Sequence, residues 1–485
     1  MGAARMRTVA QRPAMRAAML IAAGALAVLA VQSVLPAGKS GELLASVGIA
    51  MPAAVLASAG AAAVQAGEGL EKLKPARRVF AGFVSTHRGQ LELLWQGRIE
   101  GNRERGIVIA AGKPGTLANT FASLYVLRHT VKSDLPVTIM YWGKVAGDVP
   151  TNETIAYMKE HISDLDFVDA SQLPWPAWHR PLSKDLDSWK QTDGWKFKAF
   201  VLYAAPYKHA MFLDSDATAA INPAVLFDHP MYHTAGSMFW QELWCGDCDL
   251  FRQLGMPSIG RERQTESGII LVDRQRHWLM LEWALWLNTN DHITYKLAYG
   301  DKDTFRAAFY LAGTLSDFFQ VEYPLGLMLQ EKEGGFWNRG YLQPHPNGTS
   351  MFVHRVAAAK FEITNDDPKP ITHVTVPSCN YFGVKGWNSE LIPRDHFQAK
   401  VFVSGSPEAC PYSMHTLYDA AKRCGVYDWA KAKGSQQLPV FEISEQGHVG
   451  RAVSGAGEAF LMLRAEMKKR GEGSLLFELA PANKP

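Results

Sequence analysis

Short apolar runs that end in glycine or a carboxylate punctuate the middle of this chain, and helical patterns separate them. Gly106-Ile107-Val108-Ile109-Ala110-Ala111-Gly112 reads as a first buried parallel strand closed by a glycine turn. A helical pattern over about Thr116 to Thr130 leads to a second strand, Pro136 to Tyr141, the start of a βαβ unit. A further helix, Lys196 to Ala205, feeds the run Ala210-Met211-Phe212-Leu213, which stops on Asp214-Ser215-Asp216. Ser267 to Asp273 is another strand, followed by a tryptophan-rich helix from His277 to Asn288. The fold class predicted is α/β with a mostly parallel central sheet. In such sheets ligands sit beyond the carboxyl ends of the strands, where Asp214 and Asp216 fall.

Composition adds compartment rather than chemistry. The chain has 485 residues, 47% of them apolar and 20% charged, with 50 basic against 47 acidic side chains, so nothing indicates a nucleic-acid-binding face. Arg5, Arg7, Arg12 and Arg16 precede an uncharged apolar segment from Ala17 to Gly38, long enough as a helix to cross a bilayer core of about 30 Å. No acid occurs before Glu42, which keeps the tail cytosolic and exports the rest. The expected order is a cytosolic tail at 1–16, a transmembrane signal anchor at 17–38, a stem at 39–78, a catalytic domain at 79–370 and an extension of unassigned role at 371–485. A cleaved secretory signal, giving a secreted protein, is the alternative. Five cysteines, Cys245, Cys248, Cys379, Cys410 and Cys424, allow one or two disulfides of unfixed pairing. Cys245 and Cys248 form a lone C-x-x-C without a second pair at zinc spacing. Asn152-Glu153-Thr154 and Asn347-Gly348-Thr349 are sequons open to a lumenal domain.

Asp214 and Asp216 carry the candidate chemistry. Period-two geometry points both carboxylates to one side at an open strand end, where a hard divalent cation could be held together with a diphosphate. Read alone, the same triplet is equally an Asp-rich turn after a strand. The fourteen tryptophans, including Trp175, Trp178, Trp189, Trp195, Trp240 and Trp244, are candidates for stacking on sugar rings or for core packing. Gly112 permits close backbone approach to a nucleotide.

Several landmarks fall in order: Lys198; the Asp214–Asp216 pair; Ala235-Gly236-Ser237-Met238-Phe239-Trp240; Thr265-Glu266-Ser267-Gly268; Tyr299-Gly300-Asp301-Lys302-Asp303-Thr304-Phe305-Arg306; and Met351-Phe352-Val353-His354-Arg355. Over about Arg105 to Lys360 this set resembles the fungal-type Golgi alpha-mannosyltransferases, typified by enzymes forming alpha-1,3 linkages. The resemblance implies a GT-A fold, a retaining reaction, GDP-mannose as donor, a mannose-bearing glycan on a glycoprotein as acceptor, and a Golgi membrane protein of type II. A more distant resemblance, to glycogenin-like retaining transferases, implies manganese on a histidine that lies six residues before a diphosphate-binding lysine. His354 and Lys360 have that spacing, although the glycine expected between them is missing from Arg355-Val356-Ala357-Ala358-Ala359.

The site implied is therefore Asp214, Asp216 and His354 on Mn²⁺ (or Mg²⁺), with Lys198, Asp214, Gly112, Lys360 and Trp240 around the nucleotide sugar. Asp301, Asp303 and Glu266 are the acids implied near the reacting sugar. Chemically, charge that develops on the departing diphosphate calls for a cation and a lysine. Asp301 and Asp303 fit a helix N-cap equally well, and Lys198 fits a solvated helix position. Two alternatives to mannosyl transfer stand: a retaining transferase with a UDP-sugar donor, and an inactive lumenal glycan-binding protein of the same fold. A two-metal phosphate-ester hydrolase lacks the further ligands such a site needs.

Overall fold

The computed structural model describes residues 73–144, 147–174, 194–260, 262–323, 325–333, 335–356, 360–368, 370–375 and 438–471 with single gaps, plus a few shorter stretches that include the strands at 391–393 and 397–402. The chain divides into units 1–57 and 58–485, and all described residues lie in the second. The expected cytosolic tail and anchor, the stem up to residue 72, and Cys379, Cys410, Cys424, Trp175, Trp178 and Trp189 lie outside the described residues. Among the described residues no helix is long and apolar enough to cross a membrane.

A long helix opens the described part, α1 (Leu73–Ile99), which buries Phe80, Phe83, Leu91 and Trp95. Trp95 Nε1 donates to the Arg274 carbonyl at 2.7 Å, and Phe80 packs edge-on against Trp283. The expected boundary at residue 78 thus falls inside a helix that belongs to the core. Strand β1 (Arg103–Ala110) buries Ile107, Val108 and Ile109 in succession, as a strand covered on both faces must. Helix α2 (Pro114–Tyr125) starts with proline in its first turn, where the missing N–H has no helical partner to lose, and runs into a π-helical turn, Val126–Thr130. Then come β2 (Val137–Tyr141), α3 (Asn152–His161), β3 (Leu165–Asp169), α4 (Gly194–Ala204), β4 (Tyr207–Leu213), β5 (Ala217–Ala219), β6 (Ser237–Cys245) and β7 (Arg263–Asp273). Next are α5 (Trp278–Thr289), α6 (Lys302–Ala312), β8 (Gly326–Lys332), β9 (Gly335–Pro344), β10 (Ser350–Arg355) and β11 (His373–Thr375). The remaining elements are β12 (Leu391–Pro393), β13 (Phe397–Phe402), β14 (Leu438–Glu442) and α7 (His448–Arg470).

Six strands form the first sheet in the order β3-β2-β1-β4-β7-β6. The strands β3, β2, β1 and β4 are parallel, whereas β7 runs antiparallel to both β4 and β6. The sheet is therefore mixed, with β7 alone running against the other five strands: it enters from the opposite end and places its own Glu266-Ser267-Gly268 beside the end of β4. The fold class, α/β, stands. A second sheet orders β13-β14-β11-β8-β9-β10-β5, with β12 on β9, and is largely antiparallel. It incorporates β11 and β14, and α7 packs on α2 and β10, with Phe361 and Phe460 stacked at 4.6 Å. The described strands and helix beyond the boundary expected at 370/371 join the sheet and core of the same unit.

Candidate metal and diphosphate centre

Residue order in β4 and the pairing of two short strands build the site. Apolar β4 is buried along Ala210–Leu213, so its polar continuation emerges at the sheet end. The Asp214 N–H donates to the Gly268 carbonyl on β7 at 2.7 Å, and β5 begins straight after Asp216. In the second sheet β10 pairs antiparallel with β5, setting His354 opposite Ala217, and the Arg355 N–H donates to the Asp216 carbonyl at 3.0 Å. Main-chain register, not side-chain reach, thus brings the distant histidine to the aspartates.

Asp214, Asp216 and His354 each offer one ligand atom, all within 4.8 Å of one another. His354 Nε2 lies 3.6 Å from Asp214 Oδ2 and 3.4 Å from Asp216 Oδ1. An octahedral cation with ligands near 2.1 Å has neighbouring ligands about 3 Å apart, so small adjustments close the set. Among the described residues the two oxygens of buried Asp216 have only charged neighbours, Lys360 and His354, and no well-formed hydrogen bond, which leaves both open to a cation. Two oxygens and one imidazole nitrogen suit Mn²⁺, and the residues present fit such an ion.

Three cations neutralise these acids. Lys360 Nζ is 2.5 Å from Asp216 Oδ2, and Lys198 Nζ donates to Asp214 Oδ2 at 2.8 Å. Lys198 is buried, which excludes a solvated helix position. Although burial disfavours its charge, Asp214, Asp301 and Glu266 hold its ammonium above the ordinary range. Against burial, Lys360 and then His354 hold Asp216 well below the usual carboxylate range. Burial likewise opposes the charge on His354, yet Glu266 and Asp216 keep its imidazole up at about 10. Glu266 is held down at about 2 against its burial, chiefly by His354 and then Lys198. The Glu266 carboxylate accepts from the Gly268 N–H at 2.9 Å and from Gln343 Nε2 at 2.6 Å, and it lies 3.7 Å from His354 Nδ1. It therefore faces Nδ1 as an ion-pair neighbour, while Nε2 faces the two aspartates.

Asp301 and Asp303 are both buried. Asp301 occupies the N-cap position of α6 without a capping hydrogen bond from its side chain, so the capping alternative is set aside. Burial pushes it up to about 6 despite Lys198, and Ser267 hydrogen-bonds it. Burial also raises Asp303 to about 6, and its Oδ1 accepts from the Thr265 N–H at 3.2 Å. One oxygen of each, Oδ2, has no hydrogen-bond partner among the described residues.

Two expectations fare differently. Trp240 is fully buried, donates from Nε1 to the Pro344 carbonyl at 2.6 Å and packs edge-on against Phe352, so it is a core residue and not a wall of the donor site. Trp244 is exposed. Gly112 ends the first strand region against the Asp148 carbonyl, where an added Cβ would come within 2.1 Å. Cys245 is disulfide-bonded and Cys248 is free, so the two are not joined to one another. Gln343 and Gly268 escaped sequence reasoning as site residues. Gln343 carries no sequence signal, whereas a glycine inside a buried strand marks close approach. At Gly268 an added Cβ would lie 2.2 Å from His354 Cε1.

An α/β fold with a carboxylate–imidazole centre at its sheet end is the class defined by this geometry. Residues 104–249 and 258–334 match the family described as "Mannosyltransferase putative". The resemblance to mannosyltransferases read from the motifs holds in this match. A curated relative, the alpha-1,2-mannosyltransferase MNN22 of Candida albicans, is 25% identical over 205 residues, 33% of this chain. The match spans about a third (34%) of that relative's length, and that relative is an alpha-1,2- rather than an alpha-1,3-mannosyltransferase. Among solved structures, the Saccharomyces cerevisiae mannosyltransferase Ktr4p in complex with GDP is similar over 56% of this chain and 84% of that one, at 11% identity and a TM-score of 0.30. Core-mannan synthase A of Aspergillus fumigatus in its Mn/GDP form is similar over 43% and 70%, at 9% identity and a TM-score of 0.29. Likeness at that level carries no weight for the fold.

Proposed function

We propose that this chain is a metal-dependent retaining mannosyltransferase of GT-A fold that moves α-mannose from GDP-mannose to mannose-bearing glycans of glycoproteins. The observation that carries this reading is the union of Asp214, Asp216 and His354 in one ligand set, flanked by Lys198 and Lys360; Lys198, Asp214 and Asp216 lie in the stretch 104–249 that is similar to mannosyltransferases, and β10 brings His354 to them from beyond it. Those three residues would hold Mn²⁺ or Mg²⁺, which when bound supplies positive charge for the departing diphosphate. Lys198 and Lys360 hold their protons on Nζ and present fixed positive charge beside the same place. Glu266 faces Nδ1 of the His354 ring as its ion-pair neighbour. Asp301 and Asp303 supply free carboxylate oxygens for sugar hydroxyls. Gly112 serves as a point of close approach for the nucleotide. The arginine-bearing tail and apolar segment 17–38 support a type II protein of the Golgi membrane with the catalytic unit in the lumen.

The test is incubation of the purified chain with Mn²⁺, a panel of GDP- and UDP-sugars and small mannosides, with hydrolysis and transfer both followed. Turnover of GDP-mannose alone is the expected result; turnover confined to a UDP-sugar overturns the mannosyl assignment. Asp216→Asn should lower the metal-dependent rate on the order of a hundredfold or more while leaving the melting curve in place. An unchanged rate removes Asp216 from the ligand set.

A further inference from the structure

Tyr299, with 71% of its surface accessible, is the most exposed large hydrophobic side chain among the described residues, and it lies two positions before Asp301. It is nonetheless held in place. Its ring centroid lies 5.7 Å from that of Trp195 at an interplanar angle of 46°. The half-buried Trp195 is backed in turn by Tyr295 at 6.2 Å, whose hydroxyl donates to Asn288 Oδ1 at 2.6 Å. Gly300 has φ of 72°, and an added Cβ there would come 2.8 Å from Trp195 Cε3, so the turn that carries Tyr299 and Asp301 is seated on the indole. Lys302 Nζ stands 5.5 Å from the Tyr299 centroid and 3.8 Å from Glu242 Oε2. Trp195 precedes Lys198 by one helical turn on α4, which ties this aromatic group to the lysine that holds Asp214.

We infer that Tyr299, supported by Trp195, is a stacking platform for a hexose ring of the acceptor glycan, whose hydroxyls are met by the free oxygen of Asp301. This rests on the proposed glycosyl transfer and names the acceptor side of that site. A ring so exposed contributes little to the core, and its neighbours have already restricted its motion, so little entropy is lost when a ligand settles on it. A sugar offers a C–H face for the ring and hydroxyl donors for a buried carboxylate oxygen that lacks a partner.

Binding of an α-mannobiose, followed by saturation-transfer NMR and titration calorimetry with Mn²⁺ present, tests the platform apart from turnover. Tyr299→Ala should weaken glycan affinity about tenfold, Tyr299→Phe should restore it, and GDP affinity and donor hydrolysis should stay unchanged. Leu93→Ala, at a similarly exposed apolar position on α1, should change none of these. Equal glycan affinity in wild type and Tyr299→Ala, no glycan binding by wild type, or a loss confined to GDP overturns the platform. Glycan binding that depends on Tyr299 in a protein that leaves GDP-mannose intact supports the platform and overturns the mannosyl donor instead.

Discussion

Asp303 shows how far a single buried acid sets pH behaviour. Its carboxyl is raised from 3.8 to about 6, so the protonated form is the one the fold accommodates. Below about pH 4 the folded and unfolded chains both carry the proton and no penalty arises. Between about pH 4 and 6 the unfolded chain gives up this proton while the folded one keeps it, and above 6 the folded state holds a buried charge at the full cost, on the order of 3 kcal/mol. Asp303→Asn, which keeps an oxygen for the Thr265 N–H, should therefore raise the melting temperature at pH 8 and leave it unchanged at pH 4; calorimetry at the two pH values decides, and equal gains at both would refute the charge argument. Residue-scale chemistry was legible in the sequence where position in a strand dictates it. Asp214 and Asp216 end an apolar run, and Lys198 has fixed spacing to them. Trp240 was misread because a tryptophan beside a site has the same composition whether its face or its edge meets solvent, and only packing against Phe352 decides.

The element that completes the centre is β10, whose His354 ring lies against Gly268 of β7. Since an added Cβ would overlap the imidazole, Gly268→Ala should push His354 out of the ligand set without breaking β7, which has no need of a left-handed residue there. Mn²⁺ affinity, measured by calorimetry or paramagnetic relaxation, is expected to fall about tenfold to a hundredfold with the far-ultraviolet spectrum intact. Unaltered affinity would show that the ring can yield. Element types were readable because long apolar runs and helical periodicity separate cleanly: α4 and α5 fall within two residues of expectation. Strand direction was not. Strands buried on both faces have the same apolar pattern whether parallel or antiparallel, so the reversal of β7 left no trace in Ile269-Ile270-Leu271-Val272.

At the scale of the whole molecule, the C-terminal elements are structural members and not an appendage. Strands β11 and β14 extend the second sheet, and α7 buries Val449, Ala452, Ala456, Phe460 and Leu463. A chain ending at residue 370 should therefore lose its cooperative melt or precipitate, as seen by circular dichroism and size-exclusion chromatography; a soluble, cooperatively melting 79–370 would restore the boundary read from the sequence. That boundary was drawn where the motifs fade, and motifs track chemistry, whereas packing continues wherever apolar helix faces find a partner. The pairing of β5 with β10 has a consequence in time as well as in space. Ala217 must wait for His354, and β10 in turn is covered by a helix that begins only at His448. A nascent chain emerging from the ribosome carries both aspartates long before it has the third ligand, so the centre cannot close until β10 has been made. A product cut short before residue 354 carries two of the three ligands and no means of closing the set.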